Sequence, residues 1–490
     1  MVEARDLMCK MKLVLVPVVL FALLGCARNP VTGKREIVLV SEGQELALGA
    51  ESHVAAQSEY GFLDQPAVQT YVQQVGKKLA VVSHRPNLEW HYTAVDSPVI
   101  NAFAIPGGYV YFTRGILAYI NNEAELAGVM GHEIGHVTAR HSVSQITRSQ
   151  AAQIGLGAAS ILSPTVGKFG DLAGGALGVW FLKFGRDDER QADQLGVEYA
   201  ARAGYDPREV SNFFDVLRRL SETSDRETIP GWLSTHPDPG ERVTATRAAA
   251  QQWVTQLSLT PERMIVNRDA HLRSLEGVVF GDNPREGFVE EGRFYHPELQ
   301  FQISFPAGWQ VENTRTAVYA IAPDNAAQIQ FKLADVPQGT TAEGYARQLA
   351  AQGLTPQSGG PITINGNRAY LALYALRDEN GGAVPALVAF IEYRQQLYEI
   401  LGPMADLQRS RTPVESAIRS FDRLTNQRIL AMQPDRLRIY ATRQGDTLES
   451  LAARYANPRV TAADLALLNR LPTTQSLTDG RLIKVVEKGY

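Results

Sequence analysis

The stretch GHEIGHVTARH, from Gly131 to His141, constrains this chain more than any other part of it. His132 and His136 are four residues apart, and on a helix that spacing sets the two side chains one above the other on one face. One helical turn rises about 5.4 Å, so two imidazoles so placed converge on a single ion. The flanks agree with a helix. Asn122 with Glu125 three residues on reads as a capping pair, and Leu126, Val129, Met130, Ile134 and Val137 keep to one side. Glu133 points about 100° away from His132, near the ion without ligating it, which suits a general base acting on metal-bound water. This is the H-E-x-x-H arrangement. A catalytic zinc takes three protein ligands and keeps one position open, so another part of the chain must complete the site. His141 lies five residues after His136 and turns away from the metal face, as a partner or packing residue. The segment GRDDERQAD, residues 185–193, offers a carboxylate on a separate helix.

With 490 residues the chain is too long for one core. Its formal net charge of -4 supplies no basic field for nucleic acid or for anionic lipid, and nucleic acid is not expected as a partner. Lys10 and Lys12 precede the apolar run LVLVPVVLFALLG, which has the length of a signal peptide rather than of a membrane span. The ending LLGC resembles a bacterial lipobox. That resemblance implies removal of residues 1–25 and lipidation of Cys26, and Ala27 after it favours sorting to the outer membrane. The other cysteine, Cys9, lies in the removed segment, so no disulfide is expected.

Further along, SEGQELALGAESHVAAQSEYG and PAVQTYVQQVGKKLAVVS read as helices, and WHYTAV and YVYFTRG as strands. Residues 151–184 are Gly/Ala-rich and apolar but interrupted by Pro164, Lys168 and Asp171. They read either as buried helices or as a flap over the site or at a membrane surface. DPREVSNFFDVLRRL and DPGERVTATRAAAQQ each begin with the Asp-Pro pair of a helix start. Five strand-like runs with a helical TAEGYARQLAAQG between them indicate an antiparallel α+β domain over about 290–430. No repeat of tetratricopeptide period is visible.

Four ordered motifs carry a family resemblance: NAFAIPGG (101–108), HEIGH with Arg140 and His141 after it, RDDERQAD (186–193) and STHPDPGER (234–242). Together they resemble the HtpX-like, CAAX-prenyl-protease-like and BepA-like zinc metalloendopeptidases over about residues 40–255. The resemblance implies one zinc ion per chain, held by His132, His136 and Glu189, with Glu133 activating a zinc-bound water. It implies that Asp193 orients a ligand histidine or assists proton transfer. His236 would face the metal, filling the open position at rest or stabilising the oxyanion. Arg242 would pair with an acid near the site, and Arg140 and His141 would support the ligands. Asn101, Gly107 and Gly108 would shape either an edge that receives an extended substrate by strand addition or a plain structural hairpin.

Near the C-terminus, Gly445, Asp446, Thr447, Leu448, Asn469 and Leu471 stand in a strand–helix–helix–strand order that resembles a LysM module, with Thr461 capping the second helix. That resemblance implies either peptidoglycan contact through residues 436–490 or a purely structural role. The 290–430 region distantly resembles PsbP-like domains, from which no activity is inferred.

The expected architecture is multidomain α+β. A signal peptide (1–25) and a tether (26–45) precede a mainly helical, gluzincin-type zincin domain with a small sheet (46–258). A connector (259–289), the antiparallel α+β domain (290–430) and the LysM-like domain (436–490) follow. The expected function is zinc-dependent hydrolysis of misfolded or unassembled periplasmic and outer-membrane proteins, by an enzyme lipid-anchored in the bacterial outer membrane and facing the periplasm. The long transmembrane helices of polytopic members and the repeats of BepA-like ones are missing, which weakens any transfer of specific partners. Two rivals remain: a non-proteolytic scaffold or chaperone on peptidoglycan, and a cell-wall peptide amidase.

Overall fold

The computed structural model describes residues 26–149, 184–223, 232, 236, 239–377, 382–473 and 476–489. The signal peptide and nearly all of the 151–184 segment lie outside the described residues. The chain forms two compact units. One joins residues up to Phe280 with Arg436–Glu487, and the other holds Gly281–Asp435 with the last three residues. Among the described residues no helix is long and apolar enough to cross a membrane.

The described part of the first unit begins with a hairpin, β1 (Cys26–Arg28) and β2 (Arg35–Ile37), within the stretch 26–45 expected as a short polar tether. Helix α1 (Glu42–Tyr60) starts with a reciprocal cap between Ser41 and Gln44, and α2 (Pro66–Val82) has proline in its first turn. A three-stranded sheet follows: β3 (His91–Val95), β4 (Ala102–Ile105) and β5 (Tyr109–Thr113), in spatial order β3-β5-β4. β3 runs parallel to β5 and β4 antiparallel to it, so β4 is an edge strand. Gly107 and Gly108 make the tight β4–β5 turn at φ +83° and +96°, where a side chain would be strained. The short α3 (Arg114–Tyr119) leads into α4 (Glu123–Thr138), whose every residue is buried.

Helix α4 starts as its sequence implies: the Asn122 side chain accepts from the Glu125 N–H at 2.8 Å. The Glu125 carboxylate, however, returns to the N–H of Asn121 rather than to that of Asn122. Against α4 pack α5 (Arg186–Arg202) and α6 (Glu209–Thr223), α7 (Pro239–Gln256) packs on α5 and α6, and α8 (Arg268–Ser274) closes this part. Small residues let α4 and α5 meet almost backbone to backbone. A Cβ on Gly196 would lie 2.9 Å from the His132 amide nitrogen, and one on Gly131 would lie 3.0 Å from the Gly196 carbonyl.

The second unit is mainly antiparallel sheet. Its smaller sheet holds β6 (Phe288–Glu290), β7 (Arg293–His296), β8 (Phe301–Ser304) and later β16 (Asp422–Arg423). Its larger sheet holds β9 (Gln310–Asn313), β10 (Ala317–Ile321), β11 (Gln328–Leu333), β12 (Ser358–Ile364), β13 (Asn367–Arg377), β14 (Ala383–Tyr393) and β15 (Gln396–Pro403). The order is β12-β13-β14-β15-β11-β10-β9. Helices α9 (Ala342–Ala351) and α10 (Leu407–Arg419) pack on β14.

The chain then rejoins the first unit as β17 (Arg436–Ala441), α11 (Leu448–Tyr455), α12 (Ala462–Leu468) and β18 (Leu482–Glu487). β17 and β18 pair antiparallel, and Thr447 and Thr461 cap the two helices. Leu437, Leu451, Leu465 and Val485 belong to the same buried core as Val72, Leu126 and Phe213. The C-terminal segment is thus packed into the first unit rather than standing apart.

Candidate metal centre

His132 and His136 project from adjacent turns of α4, their Nε2 atoms 3.0 Å apart. Glu189, in the first turn of α5, places Oε1 3.4 Å from His136 Nε2 and Oε2 3.7 Å from His132 Nε2. His236 adds a fourth donor, with Nδ1 2.8 Å from Glu189 Oε1 and 3.4 Å from His132 Nε2. One ligand atom from each of these four buried residues lies within 4.8 Å of all the others.

Each donor is aimed by a neighbour. His132 Nδ1 lies 2.9 Å from Asp193 Oδ1, one turn along α5 from Glu189. That bond holds the Nδ1–H tautomer and leaves Nε2 for an ion. Arg242 on α7 grips Asp193 with two bonds of 2.8 and 2.6 Å, and its Nη1 lies 3.2 Å from Glu189 Oε2. His136 Nδ1 faces His141 Nδ1 at 2.9 Å, and His141 Nε2 faces Gln191 Oε1 at 2.9 Å. If His136 Nε2 serves an ion, its Nδ1–H donates to His141, whose Nε2–H then donates to Gln191. Arg140 takes no part in this cluster. At φ +59° just past α4, it is drawn to the buried Glu45 of α1 at 2.8 Å.

Burial dominates the electrostatics. It lowers the pKa of His132 to about 3 against the pull of Asp193, and that of His141 to about 4, so both rings are neutral, as His132 must be to ligate an ion. The Glu189 carboxyl is held well below its usual range, since His236 and hydrogen bonds from His136 and His236 outweigh its burial. Asp193 is likewise lowered, with Arg242 and His132 outweighing burial. Glu133 is the reverse case: burial raises it to about 8, although His136 and Arg242 pull down. Its carboxylate takes a hydrogen bond from the backbone of Ala104 in β4.

The donor set fits a metal. Two imidazole nitrogens 3.0 Å apart aim at one point, and Oε1 of Glu133 and Oε2 of Glu189 are buried without a hydrogen-bond partner. Unsatisfied polar atoms of that kind are costly, and a divalent cation amid three imidazoles and a carboxylate removes the cost. Nitrogen and carboxylate donors of this kind suit zinc.

Sequence reasoning passed over three residues around the cluster. The Phe184 ring stacks on His136 at 4.0 Å, Trp232 stacks on His236 at 4.4 Å, and Gln191 ends the hydrogen-bond chain. Trp232 precedes His236 by four residues, so helical spacing was the available signal for it, whereas Gln191, two residues from both Glu189 and Asp193, carried no such signal. Asn101, just ahead of β4, has a buried Oδ1 that lacks a hydrogen-bond partner. A cavity of about 270 Å³ opens beside Glu189, Asp193 and Arg242, walled by Ala245, Ala248 and Ala249.

The family model for peptidase family M48 matches residues 66–250, and that for the LysM domain matches residues 440–485. Beta-barrel assembly-enhancing proteases of Yersinia pestis and Escherichia coli (strain K12) are each 30% identical over 223 residues, covering 44% of this chain. The mitochondrial metalloendopeptidase OMA1 of Arabidopsis thaliana is 32% identical over 183 residues, 37% of this chain and 36% of its own. The chain spans a little under half, 45%, of the length of the assembly-enhancing proteases. Among solved structures, a cyanobacterial PsbP from Synechocystis sp. PCC 6803 is 13% identical, covering 27% of this chain and 91% of that one. Its TM-score of 0.22 carries no argument.

Proposed function

With residues 66–250 a peptidase family M48 domain and residues 440–485 a LysM domain, we propose that the protein is a zinc-dependent endopeptidase of the bacterial envelope. The observation that carries this reading is the buried quartet of His132, His136, Glu189 and His236, with the Glu133 carboxylate beside it. On this reading His132, His136 and Glu189 hold one zinc ion in a gluzincin-type site. When bound, zinc supplies Lewis acidity and makes a water nucleophilic near neutral pH.

The chain's own residues do the rest. Glu133 takes the proton of the attacking water and returns it to the departing amine. A cation beside its orphan oxygen opposes the desolvation that raises its pKa, so the ionised base is favoured. Asp193, clamped by Arg242, keeps His132 in one tautomer. His236, 3.8 Å from Glu133 through its Nε2, is placed to donate to the oxyanion once it yields its place among the ligands.

Substrate enters as an extended strand along β4. The Ala104 N–H reaches outward to Glu133, so a peptide laid on that edge passes the base. Asn101 offers its free Oδ1 there, and Gly107 and Gly108 form the turn that ends the edge. Edge pairing reads backbone, not side chains, which suits unfolded or unassembled periplasmic and outer-membrane polypeptides as substrates. Lipidated Cys26 anchors the enzyme in the outer membrane, facing the periplasm, and the LysM domain contacts peptidoglycan. The second unit is read as PsbP-like and is assigned no activity.

The test uses purified protein with its metal measured, offered unfolded casein and peptidoglycan side by side. One zinc per chain and casein cleavage, lost in Glu133→Gln with zinc retained, is the expected result. Absence of zinc, or cleavage that survives Glu133→Gln, overturns the reading. Release of cell-wall peptides without casein cleavage would favour an amidase.

A further inference from the structure

The stretch between Cys26 and α1 does not trail from the peptidase unit. Cys26 pairs with Ile37, Ala27 with Glu36 and Arg28 with Arg35, so the backbone of Cys26 is already fixed in a ladder. The hairpin is fastened next to the metal-binding helix: the Asn29 side chain donates to the carbonyl of Ala139, the residue capping α4, at 3.0 Å. The Leu39 N–H donates to Thr147 Oγ1 at 3.1 Å. Val38 and Val40 are buried with Val143.

Alternation along this segment then turns its neighbours outward. Ile37 is 65% exposed and Leu39 40% exposed, two large aliphatic side chains left in water beside the first strand. Around them the charge is one-sided. Arg28, Lys34 and Arg35 are exposed, and the single acid between residues 26 and 41, Glu36, is hydrogen-bonded by Asn29. A basic hairpin with protruding aliphatic side chains stands out on a chain whose formal net charge is -4.

We propose that hairpin β1–β2 with Leu39 is a membrane seat. Ile37 and Leu39 enter the interfacial layer of a bilayer of anionic phospholipid, and Arg28, Lys34 and Arg35 meet its phosphates. In its link to an acyl chain this rests on the lipidation of Cys26 proposed above. The seat itself rests on the exposed side chains and the charge. Its consequence is positional: the Asn29 bond to the end of α4 leaves little slack between lipid and catalytic helix. The metal centre therefore works at a set height and tilt over the bilayer rather than on a flexible leash.

The test introduces Ile37→Trp into the processed chain, with Val54→Trp and Val81→Trp as controls at two other exposed aliphatic sites, 67% and 74% exposed. Each protein is added to excess vesicles of phosphatidylethanolamine and phosphatidylglycerol with brominated acyl chains. Emission beyond that of the native chain is recorded, and the mass of the N-terminal peptide is measured separately. The seat requires the added emission at position 37 to shift blue and be quenched while positions 54 and 81 stay unquenched. It also requires that replacing the anionic lipid by phosphatidylcholine, or substituting Arg28→Gln, Lys34→Gln and Arg35→Gln together, lowers the quenching several-fold. Unquenched emission at position 37 overturns the seat, as does shielding of position 37 before vesicles are added, which would mean a second copy covers it. An N-terminal peptide without acyl mass overturns the lipid anchor alone, because quenching at position 37 is read in either case.

Discussion

Arg470, in the LysM domain, reaches 2.8 Å to Glu125, which lies in the first turn of the helix that carries HEIGH. Beside it the buried ammonium of Lys484 in β18 donates to the carbonyls of Ala118 and Ile120 at 2.6 and 2.9 Å, just ahead of that helix. Arg470 also extends to Glu209 on α6, which in turn accepts from Asn122, the cap of α4. Burial raises the Glu125 carboxyl and lowers the Lys484 ammonium, so each is costly without its partners.

Removing either cation strands groups that have no water to turn to. Arg470→Ala and Lys484→Met should each cost roughly 3 kcal/mol, read as a fall in urea midpoint of the full chain. They should lower peptidase activity together with stability, although both lie outside residues 66–250. A LysM domain that merely hung from the peptidase would leave that midpoint where it was.

Glu189 and His141 should separate cleanly by zinc content. Glu189→Ala removes a ligand and should lose the metal. His141→Ala leaves both ligand histidines in place and removes the acceptor for His136 Nδ1. It should keep zinc with affinity weakened about 10- to 100-fold, as measured by competition with a chelator. Equal zinc loss in the two variants would contradict the geometry.

Gly196→Ala tests why α4 and α5 come so close. The added methyl would sit 2.9 Å from the His132 nitrogen and 3.0 Å from the Gly128 carbonyl, both backbone atoms that cannot swing aside. The helices must part, at a cost of roughly 1–3 kcal/mol, and the distance from Glu189 to the histidines must grow. Calorimetry should show the lower melting temperature, and metal titration a weaker zinc site. Unchanged zinc affinity would mean that the helix spacing does not control the site.

His271 supplies a pH dependence with a definite sign. It is buried on α8, with Nδ1 2.9 Å from Tyr71 Oη and Nε2 3.2 Å from the Ile120 carbonyl, and burial lowers its pKa to about 3. Unfolded, it takes a proton near pH 6.5; folded, it stays neutral down to about 3. Its contribution to stability is therefore complete above about pH 6.5 and declines as pH falls towards 3, by up to about 1.4 kcal/mol per pH unit. Urea midpoints at pH 7, 5 and 4 should fall less steeply for His271→Gln than for the native chain. Parallel slopes would show that His271 titrates alike in both states.

Local patterns that repeat along one element were legible without coordinates. The helix start at Asn122, the single face shared by His132 and His136, the strands around Tyr92 and Tyr111, and the capping by Thr461 each depend on neighbours a few residues away. The HEIGH pentad therefore determined by itself that a metal site needed a helix and a ligand from elsewhere. The motif resemblance already named Glu189, Asp193, His236 and Arg242 for that site, and tertiary structure alone decided how they meet and what else joins them. Asp193 and Arg242 meet at His132 across helices α4, α5 and α7, and Phe184 and Trp232 close over the imidazoles. Arg140 turns instead to Glu45, because a buried carboxylate on α1 outbids the metal cluster for its charge. The supposed tether is a hairpin, since Val38 and Val40 find Val143 to bury against, and the C-terminal domain joins the peptidase core for the same reason. Burial and charge pairing are sums over the whole fold, so no window of sequence contains them.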